Sequence, residues 1–551
     1  MVTEYPHYIA SLQESIRRFW DKKALNDVGG ESYSFGEMAI RIEKLSLFMS
    51  AAGIKPKDDK VAICAHNCAR WGMVFLAINT YGSVAVPILF DFTPDSVCNL
   101  VDHSESVGLF TTAAKWAKMD VKAMPRLRFA INIEKWDLLH ASDDDVKKAF
   151  DAMEDAYAAK YPEGLKPADV NYSTDNMDEL AIINYTSGST GNPKGVMLTR
   201  RNMSAMIDYC NRWMPIAPDH NMVTMLPMAH MYGLMIEFMY QVCNGCSMYW
   251  LGKTPTPAIL LKAYADYKPH LLVTVPLVME KIYKSKIKPV VDKPAMKVLC
   301  CIPGIRQVIF KKIRDGLYNA FGGNVTEFIM GGAALNPEVE KWFRKIKFPY
   351  TVGYGMTEAC PLLAYRPARE YVQGSCGRAI DIVEIRIDSD DPEHVAGEIQ
   401  ARGQSVCIGY YKNEEASATL FTDDGWLRTG DLGTMAADGN VFIRGRSKSM
   451  ILSANGQNIY PEEVEAVVNN QPGVAESVVV DRAGKLVALV YPDQAILPES
   501  GEDQAELAET IRRGANRLLP NYSQLTKVEL QKNPFEKTPK MSIKRFLYQK
   551  E

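Results

Sequence analysis

The feature that most constrains the fold is an alternation of short apolar runs with a segment of helical spacing between residues 60 and 90. The letters read KVAICAHN, then ARWGMVFLAINTYG, then SVAVPILF. Strand, helix and strand in this order are typical of a parallel sheet with a crossover helix. The rhythm returns at 270–285 and 325–345. We therefore predict an α/β fold, with a large N-terminal domain of several subdomains built from parallel-rich sheets and helices.

The second half of the chain predicts a division into domains. With 551 residues, the chain is too long for a single hydrophobic core. Short strands and turns dominate from about residue 395, and a compact block of helices and strands follows residue 447. We predict an N-terminal domain over 1–446 and a small, mobile α+β domain over 447–551, with a hinge near Lys448.

Composition excludes some classes of function. The formal charge of -3 is not the basic surface that nucleic acid requires. The first residues lack the pattern of a signal peptide, and no apolar run is long enough to span a membrane. The 11 cysteines fit reduced thiols, so we expect a cytoplasmic protein. Cys243 and Cys246 form a CxxC pair without a second pair, and we expect a buried turn there rather than a metal or redox site.

Residues 141–160 show the spacing of an amphipathic helix. Val146, Phe150, Met153 and Tyr157 recur on one face, with charges elsewhere. We expect a packed surface helix there; a partner surface or membrane surface is the alternative.

The strongest local signal is INYTSGSTGNPKGVMLT at 183–199. Its glycines permit positive φ, and its hydroxyls, backbone amides and Lys194 could surround an anion, as phosphate-binding loops do. It is not a Walker A loop, which needs Gly-Lys followed directly by Ser or Thr. The alternative is a flexible polar hairpin.

This loop resembles the signature loop of the AMP-forming adenylating enzymes, which include acyl-CoA synthetases, peptide-synthetase adenylation domains and beetle luciferases. Six further stretches resemble motifs of that family in the family's order, and together they cover residues 180–545. They are LPMAHMYG (226–233), GGAAL (331–335), GYGMTEACP (353–361), GEIQARGQSVCIGYYKNEEAS (397–417), DGWLRTGDLG (424–433) and GRSKSMILSANGQNIYPEEVE (445–465).

The resemblance implies that a carboxylate attacks the α-phosphate of ATP, and that the acyl adenylate then loses AMP to a thiol. The expected cofactors are ATP, Mg²⁺ and coenzyme A. Glu358 with Thr186 would bind Mg²⁺, which prefers oxygen ligands. By the same resemblance, the ATP-binding residues are Thr186, Ser187, Gly188, Ser189, Thr190, Gly191, Lys194, Gly332, Ala333, Tyr354, Gly355, Met356, Thr357, Asp431, Ile443 and Arg446.

Several of these residues have individual roles in the resemblance. Thr357 would contact the α-phosphate, Tyr354 would stack on adenine, and Asp431 and Arg446 would reach the ribose. His230 would line and gate the acyl pocket, although it could also be a satisfied polar residue without such a role. The family rotates its small domain between half-reactions at a hinge that matches Lys448, and Gly456 would then approach the pantetheine tunnel of coenzyme A.

The tail FEKTPKMSIKR departs from the family pattern K-T-x-T-G-K-I-x-R. The pattern places its catalytic lysine, which bridges the carboxylate and the α-phosphate, on Ser542. Three interpretations remain: Lys540 replaces the lysine across a two-residue offset, adenylation runs slowly without it, or only ligand binding is retained. We take Lys540 as the catalytic candidate, together with Thr186, Glu358 and His230.

The substrate is less constrained. Asn455 within MILSANGQNIYPEEVE resembles fatty-acyl enzymes, and Met228, Met231 and Tyr232 suit an adaptable apolar pocket. We predict a long-chain fatty-acid–CoA ligase for medium- to long-chain acids, with an aryl acid as an alternative. The rival hypotheses are a fatty-acyl-AMP ligase that loads a carrier protein and a weakly catalytic ATP- or acyl-binding protein. Peripheral membrane contact is possible.

Overall fold

The structure is a computed structural model. It describes residues 5–549 apart from 175, 187–192, 215, 253–255, 453–457, 495, 499 and 538–542.

The predicted strand–helix–strand units are confirmed. Strand Lys60–Cys64, helix Ala69–Tyr81 and strand Val84–Pro87 follow one another, and the two strands pair in parallel. They lie within a seven-stranded sheet whose internal strands are parallel and whose two edge strands are antiparallel. In spatial order its strands are Asp137–Ala141, Phe129–Asn132, Ser106–Thr111, Lys60–Cys64, Val84–Pro87, Leu180–Thr186 and Lys194–Thr199.

Two smaller sheets continue the parallel architecture. One has four strands, Asn221–Thr224, Ser247–Trp250, Lys23–Asp27 and Ser32–Ser34, of which the last is antiparallel. The other has three parallel strands, Leu271–Thr274, Glu327–Met330 and Thr351–Val352. The strand–helix patterns predicted at 270–285 and 325–345 correspond to two strands of this second sheet and to the helices that follow them.

Antiparallel sheets follow in the later part of the large domain, where the sequence shifts toward short strands and turns. A three-stranded sheet contains Tyr354–Gly355, Leu362–Tyr365 and Arg378–Ala379. A four-stranded sheet contains Val383–Asp388, Gly397–Gly403, Leu427–Met435 and Val441–Arg446.

Helices cover the faces of these sheets. In the large domain the α-helices are Tyr8–Arg18, Phe35–Ala51, Ala69–Tyr81, Pro94–His103, Ala113–Trp116, Asp144–Asp151, Met153–Lys160, Arg200–Trp213, Tyr240–Cys243, Pro257–Tyr267, Pro276–Ile282, Lys288–Val291, Pro294–Leu299, Pro303–Ala320, Pro337–Lys345 and Glu414–Ala418. Two π-helical stretches, Gly233–Met239 and Tyr283–Ile287, continue into helices that follow them.

The prediction of one helix over 141–160 is wrong in its extent. Residue 141 ends a strand, and two helices, Asp144–Asp151 and Met153–Lys160, meet at Ala152. The predicted inward face is nevertheless correct, because Val146 and Met153 are buried. The CxxC pair forms the expected buried turn, and burial raises the pKa of the Cys246 thiol to about 12.

The C-terminal segment has its own small cores. Strands Val474–Arg482, Lys485–Pro492 and Lys527–Leu530 form a sheet that packs against helices Pro461–Val468 and Gly501–Asn516. A two-stranded ribbon, Ile451–Leu452 with Asn458–Ile459, precedes them. The two apolar clusters of this segment contain only residues from Ile451 onward, which agrees with a separate small domain.

Among the described residues, no helix combines the length and the apolar character needed to cross a membrane. The cytoplasmic location stays a prediction.

Candidate active site

The two strands beside the predicted phosphate loop bring two of its residues together. Thr186 lies directly opposite Lys194 across the antiparallel pair Leu180–Thr186 and Lys194–Thr199. The chain at 407–411 runs along the second strand, where the amide of Tyr411 donates to the carbonyl of Gly195 at 2.8 Å. Between these strands, the predicted loop residues Ser187, Gly188, Ser189, Thr190 and Gly191 lie outside the described residues.

Tyr410 links this loop to the predicted metal ligand. Its hydroxyl donates to Oε1 of Glu358 at 2.9 Å, and Nζ of Lys194 lies 4.8 Å from the centroid of its ring. Burial, together with the charge of Glu358, raises the pKa of Tyr410 above its usual value. The amide of Cys407 also donates to the Glu358 carbonyl at 2.8 Å. Sequence reasoning quoted the motif that contains Tyr410 but did not single out this residue.

The donors at this position fit a magnesium ion that is shared with a nucleotide. Glu358 is buried, and only its Oε1 is engaged by Tyr410. The carboxylate of Glu358 and the hydroxyl of Thr186 are hard oxygen ligands of the kind that Mg²⁺ prefers. Among the described residues, no group of three or more acidic, histidine or cysteine side chains is placed to hold a metal ion by itself. Such a site suits Mg²⁺ that takes its remaining ligands from phosphates and water.

A second group of polar residues surrounds Asp431. This carboxylate is buried, receives the hydroxyl of Tyr354 at 2.7 Å and pairs with Nε of Arg446 at 2.8 Å. Asp431 and Arg446 face each other across adjacent strands, and Ile443, in the same strand as Arg446, packs against the main apolar core. Burial raises the pKa of Asp431, while Arg446 and Tyr354 oppose that effect. One lone pair on each oxygen remains available for a ribose hydroxyl.

The segment GGAAL (331–335), which resembles the adenine-side loop of the AMP-forming enzymes, follows strand Glu327–Met330, and we call it the adenine-side loop. A Cβ on Gly331 would lie 3.1 Å from the hydroxyl of Tyr232, so glycine keeps this approach open. Gly332 has a φ of +84°, and both it and Ala333 are exposed. The loop therefore offers backbone, not side chains, to anything bound there.

The segment GYGMTE joins the two polar groups. Gly355 is exposed, and a Cβ there would stand 1.9 Å from the carbonyl oxygen of Pro361. Met356 is half-buried, and Thr357 is buried beside Glu358. Tyr354 at one end contacts Asp431, and Glu358 at the other contacts Tyr410, so five consecutive residues connect the predicted ribose and phosphate positions.

The predicted acyl region begins at His230. This residue is half-buried, and its amide and carbonyl bond to Pro227 and Leu234. The following π-helix contains Glu237, which is fully buried and accepts from the amide of Leu226 at 2.9 Å. Burial raises the pKa of Glu237 well above its usual value. Sequence reasoning missed this residue, although a single acid within LMIEFM was a signal.

The predicted hinge lies close to Asp431. Lys448 occupies a short turn, Ser447–Ser449, and the hydroxyl of Ser447 donates to the carbonyl of Gly430 at 3.1 Å. Gly456, the predicted residue near the pantetheine tunnel, lies outside the described residues.

Most basic side chains described in the tail form ion pairs with carboxylates. Three basic residues each have a carboxylate partner: Lys537 with Glu476, Lys544 with Glu536, and Arg545 with Glu465. Lys537 and Ile543 form an antiparallel bridge. Lys540 is the middle residue of the connection between them, and both Lys540 and Ser542 lie outside the described residues.

A large cavity in the described part of the chain lies away from these residues. Its volume is about 990 Å³, and Leu271, Thr326 and Glu327 place it at the amino ends of parallel strands. The adenine-side loop follows the carboxyl end of the same sheet, where ligands of open α/β sheets bind. The cavity therefore does not mark the candidate site.

Family profiles match most of the chain. The profile described as AMP-binding enzyme matches residues 12–411, and the profile described as AMP-binding enzyme C-terminal domain matches residues 448–551. The chain therefore belongs to the AMP-binding enzyme family, and the predicted resemblance to AMP-forming enzymes is confirmed.

Individual relatives agree with this class. A long-chain-fatty-acid–CoA ligase 4 of Saccharomyces cerevisiae is 28% identical over 504 residues, covering 84% of this chain and 72% of the relative. A chloroplastic long-chain-fatty-acid–[acyl-carrier-protein] ligase of Arabidopsis thaliana is 25% identical, covering 89% and 77%. The crystal structure of ATP-bound MatB from Rhodopseudomonas palustris has a TM-score of 0.75 at 22% identity, with 98% of each chain covered. This last likeness confirms the α/β fold with a small C-terminal domain.

Proposed function

We propose that the chain is an ATP-dependent ligase that converts a medium- to long-chain fatty acid into an acyl adenylate and transfers the acyl group to coenzyme A. The observation that carries the proposal is the segment Tyr354–Glu358. It joins a ribose-type group at Asp431 to a phosphate-type group at Tyr410 and Lys194. A nucleotide laid along this segment would meet hydrogen-bond acceptors at its ribose and a lysine at its phosphates.

The first half-reaction forms a bond between a carboxylate oxygen and the α-phosphorus of ATP and breaks the bond from that phosphorus to the β-phosphate. Pyrophosphate leaves. Phosphoryl transfer of this kind depends on positioning and charge neutralisation. Lys194 would neutralise the leaving phosphates, and Tyr410 would hold the Glu358 carboxylate in place. Bound Mg²⁺, held by Glu358 and Thr186, would supply further neutralisation of phosphate charge.

In the second half-reaction, a thiolate attacks the acyl carbonyl and AMP leaves with the electron pair. We propose that the domain over 447–551 turns about Lys448 between the two steps, because hinges absorb such motion at a few residues. The exposed position of Ser447 and Lys448 beside the Asp431 group is consistent with this role.

Lys540 is proposed as the lysine of the first step. Its basic neighbours in the tail are engaged by Glu476, Glu536 and Glu465. Lys540 stands two residues before the position that the family pattern gives to its lysine, and residues two apart on an extended segment point the same way. An ammonium group suits the place where charge builds between two anions.

The choice of a fatty acid rests on the residues after Leu226. Met228, Met231 and Met235 are buried and flexible, which suits an adaptable apolar pocket. An amino-acid substrate would need a carboxylate for its ammonium group. Glu237 does not serve this purpose, because it is fully buried and burial disfavours its charged form by raising its pKa.

The second candidate function is transfer to a carrier protein, which the name of the Arabidopsis thaliana relative favours. Presenting preformed oleoyl adenylate to coenzyme A and to a phosphopantetheinylated carrier protein, in separate reactions, tests the acceptor. We expect oleoyl-CoA to form at least about tenfold faster per unit of acceptor. Faster loading of the carrier protein would overturn the choice of acceptor, and release of oleate alone would overturn thiol transfer.

A further inference from the structure

One segment concentrates positive charge in a chain that is acidic elsewhere. Residues 284–315 contain nine lysines and arginines against two aspartates, a formal charge of +7. Because the whole chain carries -3, the remaining residues sum to -10. We call residues 284–315 the basic segment; it includes the helices Lys288–Val291, Pro294–Leu299 and most of Pro303–Ala320.

The same segment exposes large aliphatic side chains. Val298 is 65% exposed, Ile302 45% and Val308 57%. Leu299 and Ile305 are also exposed. Isolated exposed aliphatic residues are common on protein surfaces, but a contiguous group of them marks an interaction site.

The packing of helix Pro303–Ala320 explains why these residues face outward. Phe310 and Ile313 pack against the main core, and Leu317 is buried within it, which fixes the inward face. The Phe310 ring meets Trp342 edge-on, with a centroid distance of 5.8 Å. Positions three residues apart share a helix face, so Ile305 and Val308 lie together on another side. Core packing does not require these two aliphatic residues.

Basic residues border this exposed apolar face. Lys311 and Lys312 follow Val308 by three and four residues, within one helical turn, and both are exposed. Lys293 and Arg306 are also exposed. Aliphatic side chains flanked by lysines are the pattern of helices that lie in the interface of a membrane with negatively charged lipids.

We propose that the basic segment is a docking surface for the face of an anionic phospholipid membrane. Lysines would meet the lipid phosphates and carboxylates, and Val298, Ile302 and Val308 would enter the boundary with the acyl chains. Nucleic acid would use the lysines but would leave these aliphatic residues without a partner. The combination of charge and exposed aliphatics therefore favours lipid.

The basic segment lies close to the candidate active site, so docking would bring that site to the membrane; this point rests on the proposed function. Helix Pro276–Ile282 leads into the segment and starts at the carboxyl end of strand Leu271–Thr274. Its Glu280 accepts from the amide of Asn336, directly after the adenine-side loop, at 3.0 Å. Docking would hold the candidate active site near a membrane, where fatty acids are dissolved.

Vesicle flotation of the full chain, without nucleotide or fatty acid, tests the proposal. The vesicles are phosphatidylcholine alone and phosphatidylcholine mixed with phosphatidylserine. We expect binding only to the mixed vesicles, weakened at least about tenfold in Val308→Asp and in the double variant Lys311→Glu, Lys312→Glu. Cys301, the one exposed cysteine of the 11, can carry an environment-sensitive fluorophore whose emission should shift to the blue on binding.

Two matched controls separate the surface from general effects of substitution. Val395→Asp places the same acid at a valine that is 56% exposed in a loop outside the basic segment. The double variant Lys147→Glu, Lys148→Glu reverses two consecutive exposed lysines of helix Asp144–Asp151. Both controls should bind the mixed vesicles as well as the unaltered chain does.

Three outcomes would overturn the proposal. They are no binding to mixed vesicles, equal binding to both kinds of vesicle, and equal losses in the variants and their controls. Self-association that Val308→Asp abolishes, measured by sedimentation without vesicles, would instead assign the surface to a second copy of the chain. Acyl-CoA formation from dispersed fatty acid, assayed in the same variants, tests the proposed function separately.

Discussion

Tyr410→Phe should impair the first half-reaction without disturbing the fold. The substitution removes the hydroxyl that donates to Glu358 at 2.9 Å and keeps the ring that Lys194 approaches to 4.8 Å. Tyr410 and Glu358 are 8% and 7% exposed, so water has little access to replace the lost donor. The carboxylate would then be less firmly held where we propose that it binds Mg²⁺.

The size of the effect follows from the type of bond. A hydrogen bond to a charged group contributes about 1.5–3 kcal/mol. Since about 1.36 kcal/mol corresponds to a tenfold change in rate, kcat/KM for fatty-acid-dependent release of pyrophosphate should fall by about ten- to a hundredfold. The concentration of Mg²⁺ needed for half-maximal rate should rise in parallel.

Tyr411→Phe is the matched control, because the neighbouring tyrosine also donates to a carboxylate. Its hydroxyl bonds to Glu105 at 2.6 Å, away from the candidate site. Tyr411→Phe should change kcat/KM by less than about twofold. Equal effects of the two substitutions would refute the reasoning, as would additivity of Tyr410→Phe with Glu358→Gln, because residues in contact should couple.

Three further substitutions test other parts of the account. Asp431→Asn should raise KM for ATP by about tenfold in initial-rate assays, because a neutral amide binds ribose hydroxyls more weakly than a carboxylate. Gly355→Ala should lower the thermal midpoint of unfolding and abolish activity, since its Cβ would overlap the Pro361 carbonyl. His7→Asn should remove a loss of thermal stability between pH 6.5 and 4, because burial lowers the pKa of His7 to about 4 and its Nδ1 accepts from the amide of Ile9.

The sign of the His7 effect follows from proton linkage. The unfolded chain binds a proton near pH 6.5 and the folded chain only near pH 4, so stability is present above that window and is lost as pH falls through it. An unchanged dependence of stability on pH below pH 6.5 in His7→Asn would contradict this assignment.

Gly304→Ala is the control for Gly355→Ala, because nothing lies within 4 Å of a Cβ at Gly304. An unchanged KM for ATP in Asp431→Asn would remove Asp431 from the proposed ribose site.

Much of the fold was predictable because buried parallel strands appear in a sequence as short apolar runs. KVAICAHN and SVAVPILF lie where no face of the sheet meets water, so their sequence shows little alternation. The segments of the small domain were equally clear, since KLVALVYP and ESVVVD are strands in which most residues are buried. The break at Ala152 was not visible, because one residue with φ of -85° and ψ of -1° leaves the helical spacing on both sides intact.

The contacts within the candidate site were less predictable than its residues. Motif order placed Asp431, Glu358 and Tyr354 in one site, but not the hydroxyl bond from Tyr354 to Asp431. Tyr410 was missed because a tyrosine among apolar residues gives no signal of the carboxylate beside it. The partners of Lys537 and Arg545 come from a distant strand and a distant helix, and such pairings depend on tertiary structure that local sequence does not contain.

Fatty-acid-dependent exchange of pyrophosphate into ATP tests the central claim most directly, because it measures adenylation without a thiol acceptor. It should be measured for the unaltered chain, Lys540→Ala, Ser542→Lys and the control Lys532→Ala, which alters an exposed lysine outside the pattern. We predict brisk exchange that collapses by at least about a hundredfold only in Lys540→Ala. Exchange that is nearly silent in the unaltered chain and appears in Ser542→Lys would contradict the account, because the tail would then lack its catalytic group.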